Sequence, residues 1–242
     1  MLKIVFLCSG GGGNLRFIAE AIRLGWLKQG VICGVITDRE CLANQFARDK
    51  GIWTAVIDFS QKDQFNLLEE LHRLAPDIVV TNVHKILAPG IVDAFRGRLI
   101  NLHYSLLPAF GGVIGMKPIR QALDYGVQFV GTTAHLVEKA VDTGQPLVQA
   151  TISVAAGDTT ERLMDVVFRC GCLSLLTGIQ ILRADGQPIG KDKRSAFEIC
   201  GRSVAFSPNV AWCSGYEDEE FWHRLKTYPQ APVSTNLGCL VA

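Results

Sequence analysis

The sequence predicts an α/β fold: a mostly parallel central sheet with helices on both faces. Three observations predict it. From residue 2 to residue 82, short apolar runs alternate with segments of helical period. A glycine-rich turn joins the first run to the first helical segment. The first run is apolar at successive positions, as a strand buried on both faces must be.

Taken in order, residues 2–8 are the first strand. The turn Ser9-Gly10-Gly11-Gly12-Gly13-Asn14 follows, and apolar residues recur at helical spacing from Leu15 to Ile22. Residues 31–37 form a second strand. Residues 42–50 form a helix that Gly51 stops. Residues 53–57 are a third strand, residues 62–74 a helix that ends before Pro76, and residues 77–82 a fourth strand. Right-handed crossovers between such strands place helices on both sheet faces. The middle third differs. Residues 99–103, 130–136 and 147–154 read as strands, and 119–125 as a short helix stopped by Gly126. Residues 159–184 make a long, mostly apolar helix, with Asp158 or Thr159 as its N-cap and Glu161 in its first turn.

Beyond Gly186 the pattern degrades. Residues 187–215 mix Gly, Pro and Ser with scattered apolar residues, and 217–225 suggest a short helix with an acidic start. The tail from Thr227 carries two prolines. The expectation is a domain over 1–186 and an extension over 187–242. Apolar positions in that extension would serve a homodimer contact or cover a substrate pocket.

Composition narrows the class. The 242 residues are 48% hydrophobic and 19% charged, enough for a sizeable core. A net charge of +1 gives no sign of a nucleic-acid surface. The start lacks a signal-peptide architecture, and no apolar run reaches the roughly 20 residues that cross a bilayer. No membrane partner is expected. The eight cysteines contain no CxxC, and several lie in apolar runs. A reduced, cytoplasmic chain fits them better than a disulfide framework. No zinc spacing appears.

Three stretches carry candidate chemistry. The glycine turn brings backbone N–H groups to a helix N-terminus, where they can hold a phosphate, although its spacing fits neither GxGxxG nor a P-loop. Binding and a plain turn are evenly balanced; the amide of Asn14 adds slightly to the first. The second stretch is Asn101-Leu102-His103, with amide and imidazole on one side of a strand. The amide can donate to a developing oxyanion and the imidazole can move a proton. Alone, a buried histidine satisfied by backbone outweighs that role. The third is Asp142 in Val141-Asp142-Thr143-Gly144. A carboxylate near His103 would raise its pKa, although a solvated loop aspartate has the same appearance. His135 is a further candidate, slightly more structural than catalytic. His84 and Lys85 follow the fourth strand at the expected ligand edge.

Taken together, Asn101-Leu102-His103-x-Ser105-Leu106-Leu107-Pro108, Gly131-Thr132-Thr133-Ala134-His135-Leu136-Val137 and Val141-Asp142-x-Gly144-x-Pro146 resemble the signature of the folate-dependent formyltransferases over roughly residues 2–183. The glycine turn is similar to the phosphate loop of the phosphoribosylglycinamide branch. Leu106–Phe110 and Gly126–His135 look closer to formyltetrahydrofolate deformylase. The resemblance implies a Rossmann-like formyltransferase fold and an N-formyltransferase of one-carbon metabolism. Its formyl donor would be 10-formyltetrahydrofolate and its acceptor a small amine, phosphorylated or nucleotide-linked. It also admits a hydrolase that releases formate from the same folate, and a non-catalytic folate or nucleotide binder.

The resemblance makes Asn101, His103 and Asp142 the catalytic trio, with Asp142 keeping His103 charged. His84, Lys85, Ile86 and Leu87 would bind the pterin through backbone. The loop carrying Ala140, Val141 and Gly144 would close over it, and Lys62 would lie near the folate tail. Gly12, Gly13 and Asn14 would bind the acceptor's phosphate, beside Tyr104. The chain departs from the phosphoribosylglycinamide branch on the acceptor side. Tyr104 stands in place of a proline, Phe168 and Arg169 in place of an acid–histidine pair, and about three residues are extra in 111–117.

Overall fold

The computed structural model describes residues 1–184, 196–210 and 215–227. The strands are β1 (Leu2–Cys8), β2 (Gly30–Thr37), β3 (Thr54–Val56), β4 (Ile78–Asn82), β5 (Leu99–His103), β6 (Phe129–Leu136), β7 (Pro146–Ser153), β8 (Ala196–Ile199) and β9 (Arg202–Ser207). The helices are α1 (Gly13–Arg23), α2 (Leu42–Asp49), α3 (Phe65–Leu74), α4 (Pro89–Ala94), α5 (Lys117–Tyr125), α6 (Thr160–Arg183) and α7 (Glu219–Lys226).

All nine strands join one sheet in the order β3-β2-β1-β4-β5-β6-β7-β9-β8. Pairing is parallel from β3 to β5 and antiparallel from β5 onward, so β6 and β9 alone oppose the other seven. Successive residues of β1 feed opposite cores, as a period of two requires. Ile4, Phe6 and Cys8 pack into a cluster with α1, α2 and α6. Val5 and Leu7 pack into a second cluster with α3 and α4. Covering both faces is what makes the strand apolar from Ile4 to Cys8.

Thr159 caps α6, its hydroxyl accepting the Arg162 N–H at 3.3 Å. This helix is long and apolar enough to cross a membrane, with a mean hydropathy of 1.5. It nevertheless buries 78% of its apolar window within the fold, so it is the core helix here.

The structure departs from the sequence reading in three places. Helix α4 was not expected; it has six residues, too few to show a period, and begins at Pro89. Helix α3 starts at Phe65, which leaves Lys62 in the preceding loop. The stretch over 187–215 was expected to be patternless, yet its described part holds a hairpin that extends the main sheet. Val204 of the hairpin's β9 pairs with Ile152 of β7, and Val204 and Phe206 are buried. The signal was a short alternation at 202–207, masked by the glycines around it. The expected boundary at 186 and the proline-bearing tail lie outside the described residues. Cys8, Cys33, Cys41, Cys170, Cys172 and Cys200 are free thiols.

Candidate active site

The chain winds outward from β1 in one direction to β3 and in the other from β4 to β5. Ligands of open α/β sheets bind at such a reversal, beyond the carboxyl ends of the strands. A cleft of about 670 Å³ opens there. Its walls are residues 10–14 after β1, 81–87 from the end of β4 onward, 101–104 at the end of β5 and just past it, and parts of the loops at 112–115 and 137–142, with Phe168 of α6 at one end.

Strand β5 brings Asn101 and His103 to the same side. Its antiparallel register sets Asn101 opposite His135 and His103 opposite Thr133. Asp142 arrives from the loop between β6 and β7 with φ at 54°, a left-handed conformation that aspartate tolerates better than most residues. Its Oδ2 accepts the Gly112 N–H at 2.7 Å and lies 3.3 Å from His103 Nε2, while Oδ1 lies 3.6 Å from His135 Nε2. The trio separated in sequence is thus one cluster. His135 belongs to it: Nδ1 donates to the Leu136 carbonyl at 2.7 Å, and Nε2 sits 3.3 Å from Asn101 Nδ2.

His103 is held from both ring nitrogens. Ser105 Oγ lies 2.9 Å from Nδ1 and donates its own hydrogen to the Ala109 carbonyl at 2.5 Å, so it accepts from the ring. Nε2 lies 2.9 Å from the Val113 carbonyl. A neutral imidazole satisfies one of these acceptors and an imidazolium both. Burial pulls the imidazole below its ordinary value, with the Asp142 carboxylate and the Val113 carbonyl working in the opposite direction. Desolvation outweighs the carboxylate, so Asp142 opposes the lowering of the His103 pKa without cancelling it. Burial also works to raise the Asp142 carboxyl. His135, the Gly112 N–H and His103 outweigh it and hold the group below the usual carboxylate range.

The glycine turn forms the other end. Gly12 caps α1 with φ at 66°, no side chain caps the helix, and its first turn holds no acidic residue. The leading N–H groups of a helix lack partners within it, so they are offered to the cleft. The side chain of Asn14 has partners within the protein. Its Oδ1 accepts from Cys172 Sγ at 3.5 Å and it hydrogen-bonds the Tyr104 hydroxyl, whose pKa burial raises far above its ordinary value. Asn14 and Tyr104 thus bind each other, and both line the cleft.

His84, Lys85, Ile86 and Leu87 line the cleft, as does Val141. Gln64, which the sequence did not single out, fixes that first segment. Its amide donates to Ile86 O at 2.9 Å and accepts the Ala88 N–H at 2.9 Å. Lys62, Ala140 and Gly144 lie outside the lining. Lys62 is exposed before α3. Gly144 serves close packing instead, since a Cβ there would fall 1.7 Å from the Leu136 carbonyl oxygen. The sequence also missed Ser105, Thr133 and Val113. Only the extra length over 111–117 hinted at Val113.

Fold and cleft define a doubly wound α/β protein built to hold a ligand across its switch point, with an acid–base cluster at the centre. Residues 2–172 match the family model described as formyl transferase, and the chain belongs to that family. It is 37% identical over 171 residues to the chloroplastic phosphoribosylglycinamide formyltransferase of Vigna unguiculata, covering 66% of this chain and 54% of that relative. The chain thus spans about half the length of that relative. The crystal structure of phosphoribosylglycinamide formyltransferase from Anaplasma phagocytophilum superposes with a TM-score of 0.72 at 28% identity, covering 79% of this chain and 95% of that one. A formyltetrahydrofolate deformylase structure from Pseudomonas syringae shares the fold, with a TM-score of 0.69 at 22% identity over 79% of this chain and 64% of that one.

Proposed function

We propose that the protein transfers the formyl group of 10-formyltetrahydrofolate to the amine of a small, phosphorylated or nucleotide-linked acceptor. The observation that carries this reading is the single cluster of Asn101, His103 and Asp142 between two differently built ends of one cleft. One end has an apolar mouth, with Ile86 69% and Val141 47% exposed, suited to a flat pterin. The other end is the glycine turn, suited to a phosphate.

The folate supplies the formyl carbon, and its N10 leaves with the proton that the attacking amine gives up. Asn101 donates its amide to the formyl oxygen as charge develops there. His103 donates Nε2–H to the same oxygen in place of the Val113 carbonyl. Asp142 holds a water that carries the proton from amine to leaving nitrogen, and its charge favours the imidazolium, the form of His103 that keeps Nε2–H while Nδ1–H is given to Ser105. One C–N bond forms and one breaks, with no change of oxidation state.

Hydrolysis to formate is the second reading. The observation that favours it is the Val113 carbonyl 2.9 Å from His103 Nε2, which occupies space beside the proposed reacting atoms where water is smaller than an amine. The free thiols suit a reduced, cytoplasmic compartment. The deciding experiment incubates the protein with 10-formyltetrahydrofolate and a panel of amines that includes phosphoribosylglycinamide. Tetrahydrofolate release that requires an amine supports transfer. Formate release at the same rate without one supports the hydrolase, and no turnover with folate bound sinks both.

A further inference from the structure

We infer that helix α7, which lies beyond the residues matched by the family model, is a positioning element for the acceptor end of the cleft and acts through Arg16 and Phe168. The inference rests on the reading of that end as an anion site.

Arg16 makes the first connection. It is 7% exposed. Its Nε donates to the Leu225 carbonyl of α7 at 2.8 Å, and a second guanidinium nitrogen donates to the Gly11 carbonyl in the glycine turn. One buried cation therefore ties the last turn of α7 to the loop that opens α1. A Gly11 carbonyl committed to Arg16 is not available to repel an anion. The guanidinium charge also adds to the positive end of α1.

Trp222 makes the second connection. Its ring is 1% exposed and stacks on Phe17 of α1 at 5.6 Å and 7° between planes. It meets Phe168 of α6 edge-on at 6.4 Å, and its Nε1–H donates to the Tyr216 carbonyl at 2.8 Å. Phe168 in turn closes on Gly13, where a Cβ would come within 2.9 Å of its ring. Arg169 grips Glu219 with two 2.6 Å hydrogen bonds and lies over Trp222 at 5.3 Å. Helix α7 thus locks α1 and α6 together where both reach the cleft. A site made of backbone N–H groups works only if its frame holds them within a fraction of an ångström.

The test uses the full chain with Arg16→Lys, which keeps the charge and loses the two-carbonyl bridge, and Trp222→Phe as a second variant. Calorimetry measures inorganic phosphate and 5-formyltetrahydrofolate separately. Arg16→Lys is expected to weaken phosphate binding by about tenfold or more and to leave folate binding within about twofold. The KM for an accepted phosphorylated amine should rise with kcat little changed, and Trp222→Phe should shift in the same sense by less. A variant that binds phosphate like wild type overturns the inference alone. So does a parallel loss of both ligands, which marks a merely structural role. A wild-type protein that binds neither probe overturns the functional reading and this inference with it.

Discussion

The two ends of the cleft are built from different materials. At the centre, chemistry rests on side chains: Asn101, His103, His135 and Asp142 lie within one hydrogen-bonded cluster, with Ser105 and Val113 fixing the ring from two sides. At the end proposed for the acceptor, binding would rest chiefly on backbone. The side chains of Asn14 and Tyr104 hydrogen-bond each other, and the support comes from Leu225, 209 residues from Arg16 in sequence. Substitution of a side chain should therefore remove the reaction at one end, whereas only a change of shape or frame should remove binding at the other.

The largest effect is expected from Asn101→Ala. Loss of one oxyanion donor should lower kcat by about 10²–10³-fold with folate affinity retained, measured by single-turnover release of tetrahydrofolate. A loss confined to KM would move Asn101 from chemistry to binding. Asp142→Asn comes next and tests the electrostatics. The carboxylate raises the His103 pKa against burial. Its removal should lower that pKa further, so the limb on which the rate falls as His103 loses its proton should move to lower pH while the plateau falls. In the wild type burial already lowers the pKa, so that limb should lie below about pH 6.5, the ordinary histidine value. A limb that moves upward in the variant would reverse this assignment.

At the other end, Gly13→Ala sets a Cβ 2.9 Å from the Phe168 ring. Inorganic phosphate should bind about tenfold more weakly, folate should bind as before, and Phe168→Leu added to it should recover part of the loss. A folate affinity that falls equally would erase the division between the ends. The smallest effect is expected from Lys62→Ala. Lys62 is exposed and outside the cleft lining, so folate affinity should change by less than about twofold. A larger loss would restore it to the folate site.

The same division explains what could be read from the sequence. The strands β1 to β5 and the helices α1 to α3 were legible because strands buried on both faces are mostly apolar, and their period breaks at glycines and at Pro76. Asn101, His103 and Asp142 were legible through their motifs, and the fold brings the three together. The hairpin of β8 and β9 was obscured because it is short and half exposed. Gln64, Ser105 and Val113 act through a carboxamide, a hydroxyl and a carbonyl whose importance depends wholly on where the chain folds. Arg16 and Trp222 sit in ordinary amphipathic helices, and nothing local distinguishes them from core or surface positions. The lowered pKa of His103 was not legible because pairing with a carboxylate is visible in a motif and the depth of burial is not.

The account turns on His103 as the group that acts on the reacting atoms. The most direct measurement is single-turnover transfer by His103→Ala with folate and amine both shown to be bound. The account predicts unchanged binding of both ligands and a rate lower by at least about 10²-fold, the range for acid–base groups. A rate near that of the wild type, with both ligands bound, would contradict it.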